Sequence, residues 1–140
     1  MDYEAGKIYV NSSDGSIYSL GFDGKQIWKR HYGKIKINPL VKDGKLIFVS
    51  EDNVVFCIGK HDGNLIWFFE LKNNATDIKI VSGMIAIGCF RGYLFLLGIP
   101  SGELLGSFKI SDSSIKKIVE DNNKFLFELE NGKHCSAEIK

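Results

Sequence analysis

The stretch GKIYVNSSDG, from Gly6 to Gly15, decides the fold because the chain repeats its pattern three more times. The later copies read GKLIFVSEDN from Gly44, GMIAIGCFRG from Gly83 and NKFLFELENG from Asn123. The copies begin 38, 39 and 40 residues apart, and each ends in Gly or Asn. A fixed period of this length is typical of an array of supersecondary units, none of which can bury its apolar face alone.

Each repeat has the pattern of short β-strands. The second copy continues as LIFVS (46–50), VVFCI (54–58), LIWFFEL (65–71) and DIKIV (77–81), runs that are rich in β-branched and aromatic residues and bounded by turn formers. The dipeptides Asp14-Gly15 and Asn131-Gly132 predict hairpin turns with positive φ at both central residues. No segment combines a sustained 3.6-residue period with helix caps, so we expect little helix. The sequence therefore predicts an all-β protein made of β-propeller blades, each a four-stranded antiparallel sheet.

Two longer segments narrow the family. DGSIYSLGFDGKQIW (14–28) and DNVVFCIGKHDGNLIW (52–67) both place a Trp four residues after the Gly of a second turn. This pattern resembles the PQQ-like repeat of quinoprotein-dehydrogenase-like propellers, and the resemblance covers nearly the whole chain. It implies that Trp28 and Trp67 pack between adjacent blades. The third copy has Gly106 in the place of the Trp, which implies either looser packing there or an aromatic side chain from elsewhere that fills the gap.

The domain prediction is a single PQQ-like propeller domain over residues 1–140, partial or small. It holds about three and a half repeats: 6–43, 44–82, 83–122 and the half repeat 123–140. Counted by strand-like runs, these make two complete blades with a partial blade at each end. Closed propellers usually have four to eight blades. Three alternatives follow: a segment of a longer protein, a homo-oligomer that completes a ring, or an unusually small ring.

Composition excludes several classes of function. Lys and Arg total 18 and Asp and Glu total 17, for a net charge of +1, whereas nucleic-acid and membrane-surface modules usually carry a basic excess. We therefore expect no nucleic-acid partner and no membrane contact. The N-terminal residues lack the basic and apolar pattern of a secretory signal. The three cysteines, Cys57, Cys89 and Cys135, form no CxxC pair and are expected to be buried thiols, which favours a reducing, cytoplasmic location.

No catalytic constellation is present in the sequence. The histidines His31, His61 and His134 lie in different repeats without the spacing of metal ligands, so we predict no cofactor, no metal site and no enzyme activity. Quinoproteins that share the repeat use a calcium-bound quinone and often an adjacent Cys-Cys pair, and this chain has no such pair. The predicted function is a non-catalytic scaffold whose protein partners are other blades, another domain or another copy. The alternative is a fragment of a PQQ-dependent quinoprotein oxidoreductase.

Propeller geometry indicates where binding residues would lie. Loops from an outer strand to the next inner strand share one face with the loops between the two middle strands, and recognition residues are often on such loops. The candidate residues there are His31, Tyr32, Lys34, Lys36 and Arg91, which would form a basic and partly aromatic patch. The alternative is that they are ordinary solvated loop residues.

Overall fold

The structure, a computed structural model, describes residues 2–4, 7–121 and 124–138. Gly6 and Asn123, where the first and fourth copies of the repeat begin, lie outside the described residues. Within these ranges the chain forms 15 strands and one 3-10 turn, Phe90–Gly92, so the prediction of little helix is confirmed. None of the described segments is a helix long and apolar enough to cross a membrane.

The first compact unit, Met1–Glu70, contains two antiparallel sheets of four strands each. Their orders are β1-β2-β3-β4 and β5-β6-β7-β8, so within each sheet every strand pairs with the next strand along the chain. The strands are β1 (Asp2–Glu4), β2 (Lys7–Asn11), β3 (Ser16–Gly21), β4 (Gln26–His31), β5 (Ile35–Lys42), β6 (Lys45–Ser50), β7 (Val54–Gly59) and β8 (Leu65–Glu70).

The second compact unit, Leu71–Lys140, contains one sheet of four strands and, within the described residues, one of three. Their orders are β9-β10-β11-β12 and β13-β14-β15. The strands are β9 (Ala75–Val81), β10 (Met84–Cys89), β11 (Tyr93–Gly98), β12 (Leu104–Lys109), β13 (Ile115–Asp121), β14 (Lys124–Leu129) and β15 (His134–Glu138). Four consecutive antiparallel sheets confirm the predicted all-β architecture of propeller blades.

The sheets begin one strand earlier than the repeated phrase. Strand β5 belongs by sequence to the repeat 6–43, yet it is the first strand of the second sheet. Strand β1 completes the first sheet by pairing Asp2 with Tyr9 and Glu4 with Lys7. The expectation of a partial first blade is therefore wrong. A three-residue strand held by backbone pairing leaves no side-chain period in the sequence.

Turn geometry differs from the prediction at two sites. At Asp14-Gly15 only Gly15 has positive φ, at 94°, while the Asp14 carboxylate accepts a hydrogen bond from the backbone N–H two residues later at 2.9 Å. The Asn131-Gly132 turn behaves in the same way. Positive φ at both central residues occurs instead at Asp43-Gly44 (49° and 78°) and Ser82-Gly83 (50° and 77°). These two-residue turns join the first and second strands of their sheets.

Trp28 packs between the two sheets of the first unit, as the resemblance implies. Its side chain is buried, and its indole N–H donates to the Lys60 carbonyl at 2.9 Å, in the turn that joins β7 to β8. The ring also lies against Tyr9, with 6.2 Å between centroids. Removing a buried Trp side chain typically costs about 3–5 kcal/mol. Trp28 is therefore a structural residue of the blade interface.

In the second unit the strand position of the Trp is held by Gly106, which pairs with Leu96. A Cβ built on Gly106 would lie 2.8 Å from Cε2 of Phe108, so the Phe108 ring covers this glycine. Phe108 points to the same side of β12 because it is two residues further on. Phe108 comes from the same strand and is 51% exposed, so it covers Gly106 without taking the place of a buried Trp. An apolar groove of about 510 Å³ remains beside it, lined by Met84, Leu94, Leu96, Phe108, Lys109, Ile110, Phe125, Ala137 and Glu138.

Candidate functional site

Three loops of the first unit meet at one end of its strands. They are the connections 12–15, 32–34 and 51–53, and together they are called the first loop face. The backbone N–H of Glu51 donates to the Lys34 carbonyl at 2.8 Å, and the Lys36 ammonium donates to Asn53 Oδ1 at 2.7 Å. The middle-strand turn and the loop between sheets are thus joined by direct hydrogen bonds.

Three of the predicted binding residues present polar side chains on this face. His31, Lys34 and Lys36 are all exposed, and His31 Nδ1 lies 3.5 Å from the Ser16 hydroxyl. Lys34 also lines a polar cleft of about 390 Å³, with Asn11, Ser12, Ser13, Ile35 and Glu51. A cleft with an ammonium, a carboxylate, an amide and hydroxyls can hydrogen-bond a polypeptide segment without selecting one sign of charge.

Tyr32 has a structural role in the interface between the first two sheets. Its hydroxyl donates to the Gly63 carbonyl at 2.6 Å, and its ring lies 5.3 Å from that of Phe56 and 6.1 Å from that of Phe48, between centroids. Burial raises the pKa of the Tyr32 hydroxyl above its ordinary value. The part of Tyr32 that would recognise a ligand is therefore already occupied by contacts within the fold.

The first loop face is of mixed charge, not basic as the sequence predicts. Asp14, Glu51 and Asp52 are exposed beside Lys34 and Lys36. The pKa of Asp14 is lowered, mainly by the hydrogen bond from the Ser16 backbone N–H and next by that from the Ser12 side chain, so the carboxylate stays ionised. Of these three carboxylates, the sequence pattern singled out only Asp14, and only as a turn former.

Arg91 lies in the second unit, where four loops form a second loop face. These loops are 71–74, the 3-10 turn 90–92, 110–114 and 130–133. The Phe90 N–H donates to the Asn74 carbonyl at 3.0 Å, and the Glu130 N–H donates to the Ser114 carbonyl at 2.9 Å. These bonds repeat the geometry of Glu51 and Lys34, since each acceptor directly precedes the first strand of a sheet.

The described residues offer no donor set for the quinone chemistry of related enzymes. No three His, Cys, Asp or Glu residues in those parts of the chain are grouped so that they could hold a metal ion. Burial raises the pKa of the Cys57 thiol to about 11, so that it stays protonated near neutral pH and is a poor nucleophile.

The sheets and loop faces define the class: a module of PQQ-like propeller blades. The chain belongs to the family described as outer membrane protein assembly factor BamB, whose sequence profile matches residues 2–121. The BamB of Shewanella oneidensis is 25% identical over 125 residues, which cover 85% of this chain and 31% of that protein. The BamB of Burkholderia pseudomallei is 30% identical over 97 residues, 69% of this chain and 25% of that protein.

A solved structure agrees at the level of the fold. The crystal structure of BamB from Moraxella catarrhalis superposes with a TM-score of 0.82 at 12% identity, over 99% of this chain and 44% of that one. The chain thus spans about a third or less of the two curated relatives and under half of the solved one. The predicted resemblance to PQQ-like propellers is confirmed, and the curated relatives are assembly factors.

The prediction of a cytoplasmic location is wrong. The relatives are factors of outer membrane protein assembly, which is not a cytoplasmic process. The error has a physical source, since the location was inferred from unpaired cysteines. Cys57 and Cys89 are fully buried. A thiol without access to solvent persists in any compartment, so cysteine usage carried no information here.

Proposed function

We propose that this chain is a non-catalytic propeller module that binds proteins during outer membrane protein assembly. The observation that carries the proposal is the family match over residues 2–121, within which the structure has two loop faces and, in the parts described, no three His, Cys, Asp or Glu residues placed to hold a metal ion. A rigid scaffold that presents several loops at one end suits protein recognition better than chemistry.

The domain boundaries are part of this proposal. Residues 1–140 would form one partial propeller domain, with repeats 6–43, 44–82, 83–122 and 123–140, that works within a larger protein or assembly. The fraction of the relatives that the chain spans supports this arrangement. Partners would then include further blades as well as a separate protein, or a second copy of the chain.

On the first loop face, we propose His31, Lys34 and Lys36 as contact residues. All three are exposed, and Lys34 lines the polar cleft. The neighbouring carboxylates of Glu51 and Asp52 would make the contact polar and of mixed charge. Such an interface gains specificity more than affinity from its charges.

Photo-crosslinking in the organism that makes the protein tests this function. A photoreactive residue is placed at Lys34 on the first loop face or, as the matched control, at Lys25 in the turn between β3 and β4 at the other end of the strands. Both lysines are exposed in the same unit. We expect position 34 to crosslink to an outer membrane protein or an assembly component, identified by mass spectrometry, and position 25 to do so much less.

Three results would count against the proposal. The first is the absence of such products from position 34, and the second is equal products from both positions. The third is tight, stoichiometric uptake of pyrroloquinoline quinone with calcium by the purified chain, which would favour the oxidoreductase alternative.

A further inference from the structure

The turn between the two middle strands of the third sheet departs from its counterparts. At equivalent points of the repeat the other turns carry Ser13-Asp14, Glu51-Asp52 and Glu130-Asn131, which are small, polar or acidic. The third carries Phe90-Arg91, called the Phe90–Arg91 tip. Among these four turns only the third carries an apolar and a basic residue, although all four connect the same pair of strands in their sheets.

The tip adopts a conformation that costs free energy. Arg91 has φ 61° and ψ 24°, in the left-handed region that long side chains rarely adopt, whereas the other three turns have positive φ only at their final Gly or Asn. The Phe90 side chain is 48% exposed, so its ring is not needed to fill the core. Unfavourable backbone geometry at an exposed, atypical pair is a reason to look for function there.

The tip is also held rigidly. The Phe90 N–H donates to the Asn74 carbonyl at 3.0 Å, and the Arg91 N–H donates to the Ser114 hydroxyl at 3.1 Å. The next residue, Gly92, accepts from the Ile110 N–H at 2.9 Å. Fixed backbone on both sides lowers the ordering cost when a partner binds.

The charges around the tip favour an acidic partner. Among the described residues the Arg91 guanidinium has no ion-pair partner. Lys109 and Asp112 pair at 3.2 Å and offset one another. The exposed groups that remain on the second loop face are Arg91, Lys72 and Lys133 against Glu130, a positive balance.

We propose that the Phe90–Arg91 tip binds an acidic segment of a partner protein in which an apolar side chain lies next to a carboxylate. Arg91 would pair with the carboxylate, and the Phe90 ring would cover the apolar side chain. Arg and aromatic residues are the types that carry most binding energy at protein interfaces. This inference rests on the proposed protein-binding function, and it names the partner chemistry for the second loop face.

The test measures fluorescence anisotropy of a labelled octapeptide, Asp-Leu-Asp-Leu-Asp-Leu-Asp-Leu, with the purified chain. We expect R91E and F90S each to weaken binding by at least about tenfold. The matched control K25E makes a similar charge change in the turn between β3 and β4, outside both loop faces, and should alter the affinity by less than about twofold. Binding should weaken as salt is added, because surface charges are screened.

Three outcomes would overturn the inference: no binding by the wild-type chain, equal binding of a peptide with Lys in place of Asp, or unchanged affinity of R91E. Circular dichroism and thermal melts check that the variants fold, and R91Q serves as the milder variant. The crosslinking experiment tests the proposed function independently of this peptide-binding test. Peptide binding through Arg91 with no envelope crosslinks would refute the assembly role alone, whereas crosslinks without peptide binding would refute this inference alone.

Discussion

The interface around Trp28 predicts a severe effect of Gly63→Ala. A Cβ at Gly63 would lie 2.6 Å from Cε3 of Trp28 and 2.9 Å from Cγ of Arg30, and Gly63 has φ 71°. The left-handed conformation costs an L-residue about 1–2 kcal/mol. Overpacking against the indole costs about 1–3 kcal/mol more. We therefore expect the free energy of unfolding to fall by about 2–5 kcal/mol.

Gly44→Ala is the matched control for backbone strain. Gly44 has φ 78°, but a Cβ added there would meet no atom within 4 Å, so only the conformational cost of about 1–2 kcal/mol applies. The difference between the two variants measures the contacts with Trp28 and with Arg30 Cγ. In a Trp28→Leu background that difference should shrink, since only the contact with Arg30 remains.

Urea unfolding followed by tryptophan fluorescence is the assay. Both tryptophans, Trp28 and Trp67, belong to the first unit, so the signal reports on that unit, and Trp67 remains as the probe in the Trp28→Leu background. The reasoning is refuted if Gly63→Ala costs no more than Gly44→Ala. It also fails if the whole excess cost persists without the indole, because Trp28 would then contribute nothing to it.

Further predictions concern glycine packing in the second unit and the cysteines. Gly92→Ala should destabilise the chain more than Gly132→Ala, as thermal melts followed by circular dichroism can show. Both glycines have positive φ, but a Cβ on Gly92 would collide with the Ser111 carbonyl oxygen, whereas a Cβ on Gly132 would meet no atom within 4 Å. Equal melting temperatures would contradict this. Cys57 should resist iodoacetamide at pH 8 while half-buried Cys135 reacts, as peptide mass mapping can show; rapid alkylation of Cys57 in the folded chain would refute its burial. Because the pKa of the Cys57 thiol is raised from 9.0 to about 11, the folded state binds the proton more tightly, so its contribution to stability should be lost as pH rises from 9 to 11. Cys57→Ala should flatten that part of the pH–stability profile, and an unchanged profile would assign the loss to another group.

The repeat made the architecture predictable. A phrase of alternating apolar residues and turn formers, repeated four times, specifies paired strands wherever it occurs, because its turns and β-branched runs act locally. The role of Trp28 was implied by the resemblance to the PQQ-like repeat. Strand β1 did not, because three residues held by backbone hydrogen bonds carry no period.

The candidate site was predictable only in part. The sequence places Lys34 and Lys36 on a loop, but the carboxylates beside them come from turns that are distant along the chain, so the mixed charge appears only in three dimensions. An aromatic residue in a loop, such as Tyr32, looks the same in the sequence whether it binds a partner or packs within the fold. The contacts of Tyr32 with Phe56 and Gly63 show that it packs within the fold. The substitution of Arg91 for an acidic or amide residue was the one visible signal at the Phe90–Arg91 tip.

The main-chain bonds from Glu51, Phe90 and Glu130 to the carbonyls of Lys34, Asn74 and Ser114 bear on how such a protein can change over evolutionary time. A hydrogen bond between two peptide groups does not depend on the side chains of the two residues. The side chains of each of these turns can therefore change without weakening the sheet that carries the turn. New binding specificities can accordingly arise by changes in one turn at a time. For the same reason, members of the family can share the fold at low sequence identity, since the backbone hydrogen bonds are kept while the exposed residues of the turns diverge.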